Sequence, residues 1–180
     1  APLLAPIIKK ELKWLNMITF DPNLRPPLWK SREEAREQIL WGLSRADVVK
    51  ISDDEVEFLW GITDETEAAG KLLNEYGVRL AMITLGPKGA YLANRNGGAR
   101  AVCPPVKPID TTGAGDIFGG SAVARLLKTG KEPDCLTVEE LAAIAAFAST
   151  AASLSTQVTG GIPSIPSEEA VLMHLCTGNA

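Results

Sequence analysis

With 180 residues, 46% of them hydrophobic and 22% charged, the chain has material for one domain with a sizeable core and none of the bias of a disordered or disulfide-framed chain. A net charge of −4 and a pI near 5.1 leave no basic footprint, so no nucleic-acid partner is expected. Cys103, Cys135 and Cys176 are odd in number, far apart and without metal-ligand spacing, which points to reduced, buried thiols in a cytoplasmic protein.

Along the chain, the apolar run Leu3–Ile8 is too short for a secretory signal, and its basic residues Lys9 and Lys10 follow instead of preceding it. Ile7, Ile8, Leu12 and Leu15 fall at helical spacing, and Met17–Phe20 reads as a short strand that stops at Asp21-Pro22-Asn23. Ser31-Arg32-Glu33-Glu34 has the form of a capping box and predicts a helix to about Leu43. Asp47–Ile51 is the next strand. Ser52-Asp53-Asp54-Glu55 is a second capping box, opening a helix with Val56, Leu59 and Trp60 on one face. Thr63 or Asp64 caps a further helix that ends at Gly77, and Arg79–Leu85 is a buried strand. Gly86-Pro87-Lys88-Gly89 turns tightly into a strand at 90–93, and Asn96-Gly97-Gly98 signals a hairpin into 100–103. A helix runs to about Thr129, and another from Thr137 to Ser153. Gly160–Ser164 is a loop, and Ser167 caps the last helix. Residues 141–167 carry no charge, but apolar continuity fails near Ser153, so a buried helix plus loop is expected and no membrane partner. Strands alternating with helices in the first half imply an α/β parallel sheet, thickened by helices on one side in the second half. Ligands would then collect along the carboxyl edge. The chain opens at Ala1 inside an apparent helix, so it is expected to be a piece of a longer one, folded as a single α/β domain over 1–180.

The stretch Pro108-Ile109-Asp110-Thr111-Thr112-Gly113-Ala114-Gly115-Asp116-Ile117-Phe118-Gly119-Gly120 carries the strongest chemical signal. Gly113, Ala114 and Gly115 have almost no side chain, so their N–H groups can meet a ligand at the start of a helix. Unpaired donors and partial positive charge favour an anion there, phosphate above all. Asp110 and Asp116 flank the turn, and a carboxylate beside phosphate makes sense if it holds a cation or takes a proton from an attacking hydroxyl. The Gly-x-x-x-x-Gly-Lys-Ser/Thr loop is absent, and the third glycine of the dinucleotide fingerprint is missing. Asp110–Asp116 instead resembles the signature of the PfkB/ribokinase-like carbohydrate kinases. The resemblance implies that Asp116 is the catalytic base and that the Gly113, Ala114 and Gly115 amides form the anion hole.

Other segments extend the resemblance, each beside a plainer reading. Thr84-Leu85-Gly86-Pro87-Lys88-Gly89 is similar to the family's nucleotide-contacting turn, which would place Thr84, Gly86 and Gly89 at ATP; alternatively it is a simple hairpin turn. Glu55 matches the acidic end of an Asn-x-x-Glu pattern implicated in Mg²⁺ and phosphate positioning, with Ser52 replacing the Asn. The capping box alone also accounts for both residues. Asp21–Trp29 resembles a stretch of the fructokinase and keto-deoxygluconate kinase branches, making Asn23 and Arg25 candidates for phosphate or sugar oxygens; a helix-anchoring turn is the alternative. Ser149 stands where the family often has an adenine-contacting Asn. Gly160 and Ser164, with Asp110 and Thr112, match a second cation loop, for K⁺. His174, the only histidine, has no catalytic context.

The resemblance, over 21–166, implies the C-terminal, nucleotide-binding half of a ribokinase-like αβα sandwich, with a mostly parallel sheet flanked by helices. The implied reaction is ATP-dependent phosphorylation of a small-molecule sugar, fructose first and 2-keto-3-deoxygluconate next, with a homodimer among the assemblies open to the full-length protein. A non-catalytic nucleotide-binding or regulatory fragment is the alternative.

Overall fold

A computed structural model describes residues 17–177. The helix expected around residues 6–14 lies outside them. Among the described residues a sheet has strand order β1-β2-β3-β4-β5: β1 (Thr19–Phe20), β2 (Val48–Ser52), β3 (Leu80–Thr84), β4 (Ala90–Asn94) and β5 (Gly97–Ala101). β1, β2 and β3 pair parallel, whereas β4 is antiparallel to both β3 and β5, so four of the five strands point the same way. The crossovers that parallel pairing demands are α1 (Arg32–Leu43) and the pair α2 (Asp53–Trp60) and α3 (Glu65–Glu75). α4 (Ala114–Thr129), α5 (Val138–Ser155) and α6 (Glu168–Thr177) complete the chain.

Alternation along the strands sorts the core into two layers. Val49, Ile51, Ala81 and Ile83 face Ile39, Leu43, Val56, Leu59 and Leu72 of the first three helices. Val48, Leu80, Met82, Leu92 and Ala99 face Phe118, Ala122 and Leu126 of α4 and Leu141, Ile144 and Ala148 of α5. This is an αβα sandwich, and the second-half helices do thicken one side. α5 is long and apolar enough to cross a membrane, but it is the central core helix of that side and is largely buried.

Local chemistry explains the helix starts. Ser52 and Glu55 form a complete capping box, as do Thr137 and Glu140, and Asp64 caps α3. Each such cap contributes about 1 kcal/mol. At Ser31 the box is only half made: Ser31 Oγ accepts from the Glu34 N–H, but the Glu34 carboxylate reaches back to the Lys30 N–H. The cysteines depart from expectation. All three are free, yet Cys135 and Cys176 are exposed and Cys103 is half-buried. Cys135 closes a short 3₁₀ turn and Cys176 sits in the last turn of α6, both outside the two apolar layers.

Candidate active site

The ends of β1, β2 and β3, the start of β4 and the exit from β5 all lie on one edge of the sheet, as parallel pairing with one reversed strand requires. A cleft of about 1130 Å³ opens along that edge. From the sheet side it is lined by Asn23, Arg25, Lys50, Glu55, Thr84 and Gly89, and from the helix side by Ala114, Gly115 and Ser149.

The floor is fixed by two backbone devices. Gly89 has φ +105°, and a methyl group added to it would lie 1.9 Å from the Ala101 carbonyl oxygen. Only glycine lets β4 begin so close to the exit of β5. Gly113 ends the signature turn with φ +79°, and its Cα face lies against the 160–161 loop, where an added methyl would be 3.2 Å from Gly161 Cα. α4 therefore starts with no side-chain cap; the Ala114 N–H, expected to face a ligand, instead donates to the Thr111 carbonyl at 3.2 Å and closes the turn, which leaves the Gly113 and Gly115 N–H groups for a ligand.

Asp110 holds the turn in place. Its Oδ1 accepts from the Thr112 N–H at 2.9 Å and its Oδ2 from the Gly160 N–H at 2.8 Å. The Gly160 amide, with the Thr112 side chain and amide, holds the Asp110 carboxyl at about 2, well below its ordinary value. The Ile109 and Asp110 N–H groups both donate to the Thr156 carbonyl at the end of α5. Ser164, buried, donates its hydroxyl to the Gly161 carbonyl. Asp110, Thr112, Gly160 and Ser164 are thus brought together as two joined loops beside the turn.

Asp116 is exposed in the first turn of α4, with no ion pair or hydrogen bond given to its carboxylate among the described residues. It lines a second hollow of about 470 Å³, with Gly113, Ile117, Gly161, Ile162 and Arg125. The helix start thus stands between two spaces: Ala114 and Gly115 face the large cleft, and Gly113 and Asp116 the smaller one.

Glu55 is buried, and both its oxygens accept backbone N–H groups: Leu24 at 2.7 Å and Ser52 at 2.8 Å. It ties the loop after β1 to the cap of α2. Among the described residues no group of three or more His, Cys, Asp or Glu side chains comes together as a metal cage. That donor set does not build an all-protein Mg²⁺ site, although Mg²⁺ normally enters such clefts on phosphates and keeps several waters. Asn23 is exposed at φ +44°, with its N–H donating to the Asp21 carboxylate. Arg25 is exposed, with Nη1 donating to the Leu24 carbonyl, so its guanidinium retains donors for a ligand.

Ser149 is 1% exposed, and its hydroxyl is the one buried side-chain polar atom without a partner among the described residues. A buried unpaired hydroxyl costs about 1–3 kcal/mol, and a ligand acceptor or donor in the cleft would recover it. The cleft volume, the unpaired Gly115 amide and this hydroxyl fit a nucleotide.

Two residues on this edge escaped the sequence reading. Lys50 is 7% exposed in the middle of the sheet, bonded to both Asp21 oxygens at 3.1 and 3.3 Å. Burial raises the Asp21 carboxyl above its ordinary value, with the Lys50 charge opposing. The signal was a lone cation within the apolar run Val48-Val49-Lys50-Ile51, which needs a partner wherever both faces are covered.

The pattern of the pfkB family carbohydrate kinases matches residues 8–168. The chain is 39% identical over 157 residues to "Fructokinase-1" of Zea mays, covering 87% of this chain and 48% of that protein. It superposes with a TM-score of 0.75 and 32% identity on a fructokinase from Vibrio cholerae O395 in a fructose-, ADP- and calcium-bound form, covering 87% of this chain and 50% of that one. With an aminoimidazole riboside kinase from Salmonella enterica, complexed with aminoimidazole riboside and an ATP analog, the TM-score is 0.73 at 28% identity, covering 88% and 52%. The chain spans about half the length of the curated relatives it matches.

Proposed function

The chain belongs to the pfkB family of carbohydrate kinases, and from that membership we propose that it forms the nucleotide-binding part of an enzyme that transfers the γ-phosphoryl group of ATP to a sugar hydroxyl. The carrying observation is the start of α4: a glycine-rich turn between two hollows, its Gly113 and Gly115 amides unpaired among the described residues, with an unpaired, exposed carboxylate on the second hollow. ATP supplies the phosphoryl group, with Mg²⁺ screening its charge. The large cleft takes the nucleotide, through Thr84, Gly86 and Gly89 on the sheet side and Ser149 on α5. Arg25 and Asn23 reach the phosphate or sugar oxygens from the loop after β1.

Asp116 accepts the proton of the acceptor hydroxyl from the side of the smaller hollow. The Gly113 and Gly115 amides offset charge gathering on the transferred group, and such preorganised donors act most strongly where charge develops. Asp110, Thr112, Gly160 and Ser164 form the bracket for a monovalent cation such as K⁺. Glu55, both of whose oxygens are engaged by backbone N–H groups, would serve Mg²⁺ by fixing the loop after β1 beside it. Similarity to the maize protein and the Asp21–Trp29 stretch both favour fructose as acceptor. The free thiols suit a reducing compartment such as the cytoplasm.

The test is ATP-dependent formation of sugar phosphate by the full-length protein over a panel that includes fructose and 2-keto-3-deoxygluconate. Tight ATP binding with no acceptor consumed, across neutral hexoses, ketoses and sugar acids, would refute the kinase reading and leave a nucleotide-binding module.

A further inference from the structure

The stretch leaving β5 braces both ends of the turn that opens β4. Ala101 and Val102 press on Gly89, where any added methyl would collide with the Ala101 carbonyl oxygen and Val102 Cα. The next residue, Cys103, reaches the other end of the same turn, its thiol donating to the Gly86 carbonyl oxygen at 3.6 Å. A thiol is a weak donor, so this contact holds the sulfur only loosely. Pro104 and Pro105 follow; they fix φ and carry no N–H, so the chain presents Cys103 at one place over the turn. Cys103 is free and half-buried, and with Pro104, Pro105 and Val106 it forms a wall of the large cleft. From α5 the same cleft is lined by Ser149, whose buried hydroxyl has no partner among the described residues, an independent sign that a ligand completes this space. Cys135 and Cys176 are more exposed yet line neither hollow.

We propose that Cys103 is a reversible modification site for a low-molecular-weight disulfide such as glutathione disulfide, and that the adduct and a nucleotide exclude one another from the cleft. Cys103 gives up its proton, and the thiolate attacks one sulfur of the disulfide. A new S–S bond forms to Cys103, the bond within the disulfide breaks, and the departing thiolate takes up a proton. The disulfide is the oxidant, and a second thiol reverses the step by the same exchange. The adduct takes the thiol donor from the Gly86 carbonyl and sets a tripeptide against the turn, in a cleft whose volume of about 1130 Å³ has room for it. An inert structural thiol belongs inside an apolar layer, and Cys103 lies in neither of the two. Mutual exclusion rests on the nucleotide reading of the cleft, whereas the modification rests on the position of the thiol alone.

The experiment treats the full-length protein with glutathione disulfide, locates the modified cysteines by peptide mass mapping, and measures ATP affinity by calorimetry before and after. Cys103 should gain one glutathionyl group, and ATP affinity should fall by about tenfold or more and return with dithiothreitol. ATP well above its Kd should slow modification of Cys103 by about tenfold or more. Cys135 and Cys176 are internal controls whose modification ATP should not slow. Cys103→Ser keeps a donor for the Gly86 carbonyl, so it should bind ATP within about threefold of wild type and lose none of that affinity on treatment. A thermal melt separates blockage from unfolding: the modified wild type should keep a single cooperative transition. Where the untreated protein binds ATP, any of four results would overturn the proposal: Cys103 unmodified while Cys135 and Cys176 react, modified Cys103 with unchanged ATP affinity, an equal loss in treated Cys103→Ser, or loss of the cooperative melt. A rate of modification that ATP does not slow would overturn it too. Modification of Cys103 in a protein whose untreated form binds no ATP would sustain the site and refute the nucleotide reading instead.

Discussion

Removing one oxygen from Glu55 separates its architectural work from any metal-related work. The carboxylate is buried and accepts the Leu24 and Ser52 N–H groups at 2.7 and 2.8 Å, both short enough to be charge-assisted. Bonds to a charged acceptor contribute about 1.5–3 kcal/mol each, and the reciprocal arm of the capping box is one of the two. In Glu55→Gln the amide keeps one oxygen and presents NH₂ to the other N–H, so one bond becomes a clash of donors. About 3 kcal/mol of destabilisation is expected, and Glu55→Ala should cost about 4–5 kcal/mol by losing both bonds and part of the packing. Against a total of about 5–15 kcal/mol for a domain, either loss is large. At about 2–4 °C per kcal/mol for a chain of this size, Glu55→Gln should lower Tm by roughly 6–12 °C. Urea unfolding followed by tryptophan fluorescence gives the free energy, and a thermal melt checks it. Full wild-type stability in Glu55→Gln, with ATP affinity lost only in the presence of Mg²⁺, would refute the argument and move Glu55 to the metal.

Three other perturbations bear on the same edge of the sheet. Gly89→Ala places a methyl 1.9 Å from the Ala101 carbonyl at φ +105°, so β4 and β5 must part; the expected loss is about 3 kcal/mol or more, read as a drop in urea midpoint. Asp110 has its folded-state carboxyl lowered from 3.8 to about 2, so its contribution is complete above about pH 4 and is lost as pH falls through 2. Asp110→Asn should therefore flatten the fall in stability between those values, and an unchanged acid limb would disprove the bonding pattern. Asp116→Asn in the full-length protein should cut kcat by about 10²–10⁴-fold with ATP affinity nearly intact, as expected for loss of a proton acceptor; steady-state kinetics showing near-normal turnover would remove it from that role.

The parts of the fold that were legible in the sequence are those decided within four residues. Ser52 with Glu55 caps its helix as expected and Asp64 is the one of the two candidates, Thr63 or Asp64, that caps the next, since a cap's donors and acceptor lie in one turn of chain; Thr137 with Glu140 is a further capping box, at the expected start of its helix. The Asn96-Gly97 hairpin appears too, although β5 starts at Gly97 and ends at Ala101 instead of running to Cys103. Long-range partners were not legible. Asn94, buried in β4, donates to the Pro133 and Leu136 carbonyls across more than thirty positions of sequence, and Asn96 reinforces it, yet nothing in "Asn-Arg-Asn-Gly" says so. Lys50 was hidden for the same reason: its strand position follows from the apolar run, but its partner Asp21 lies 29 residues earlier. At the site, Glu55 could be read as cap or metal residue because Ser-x-x-Glu serves both, and only the Leu24 N–H shows how fully its oxygens are engaged.

The bond from the Gly160 amide to Asp110 spans 50 residues of sequence, and the Ile109 and Asp110 amides add two more ties to Thr156. Between those anchors lie all of α4 and α5. The glycine-rich turn at 110–116 therefore takes this shape only with both helices docked on the sheet, because its anchors lie on either side of them. Opening of either helix should release the turn as part of the same cooperative unit. In hydrogen exchange, the Gly160 and Thr112 amides should open with the free energy of α5 and not with that of an ordinary surface loop.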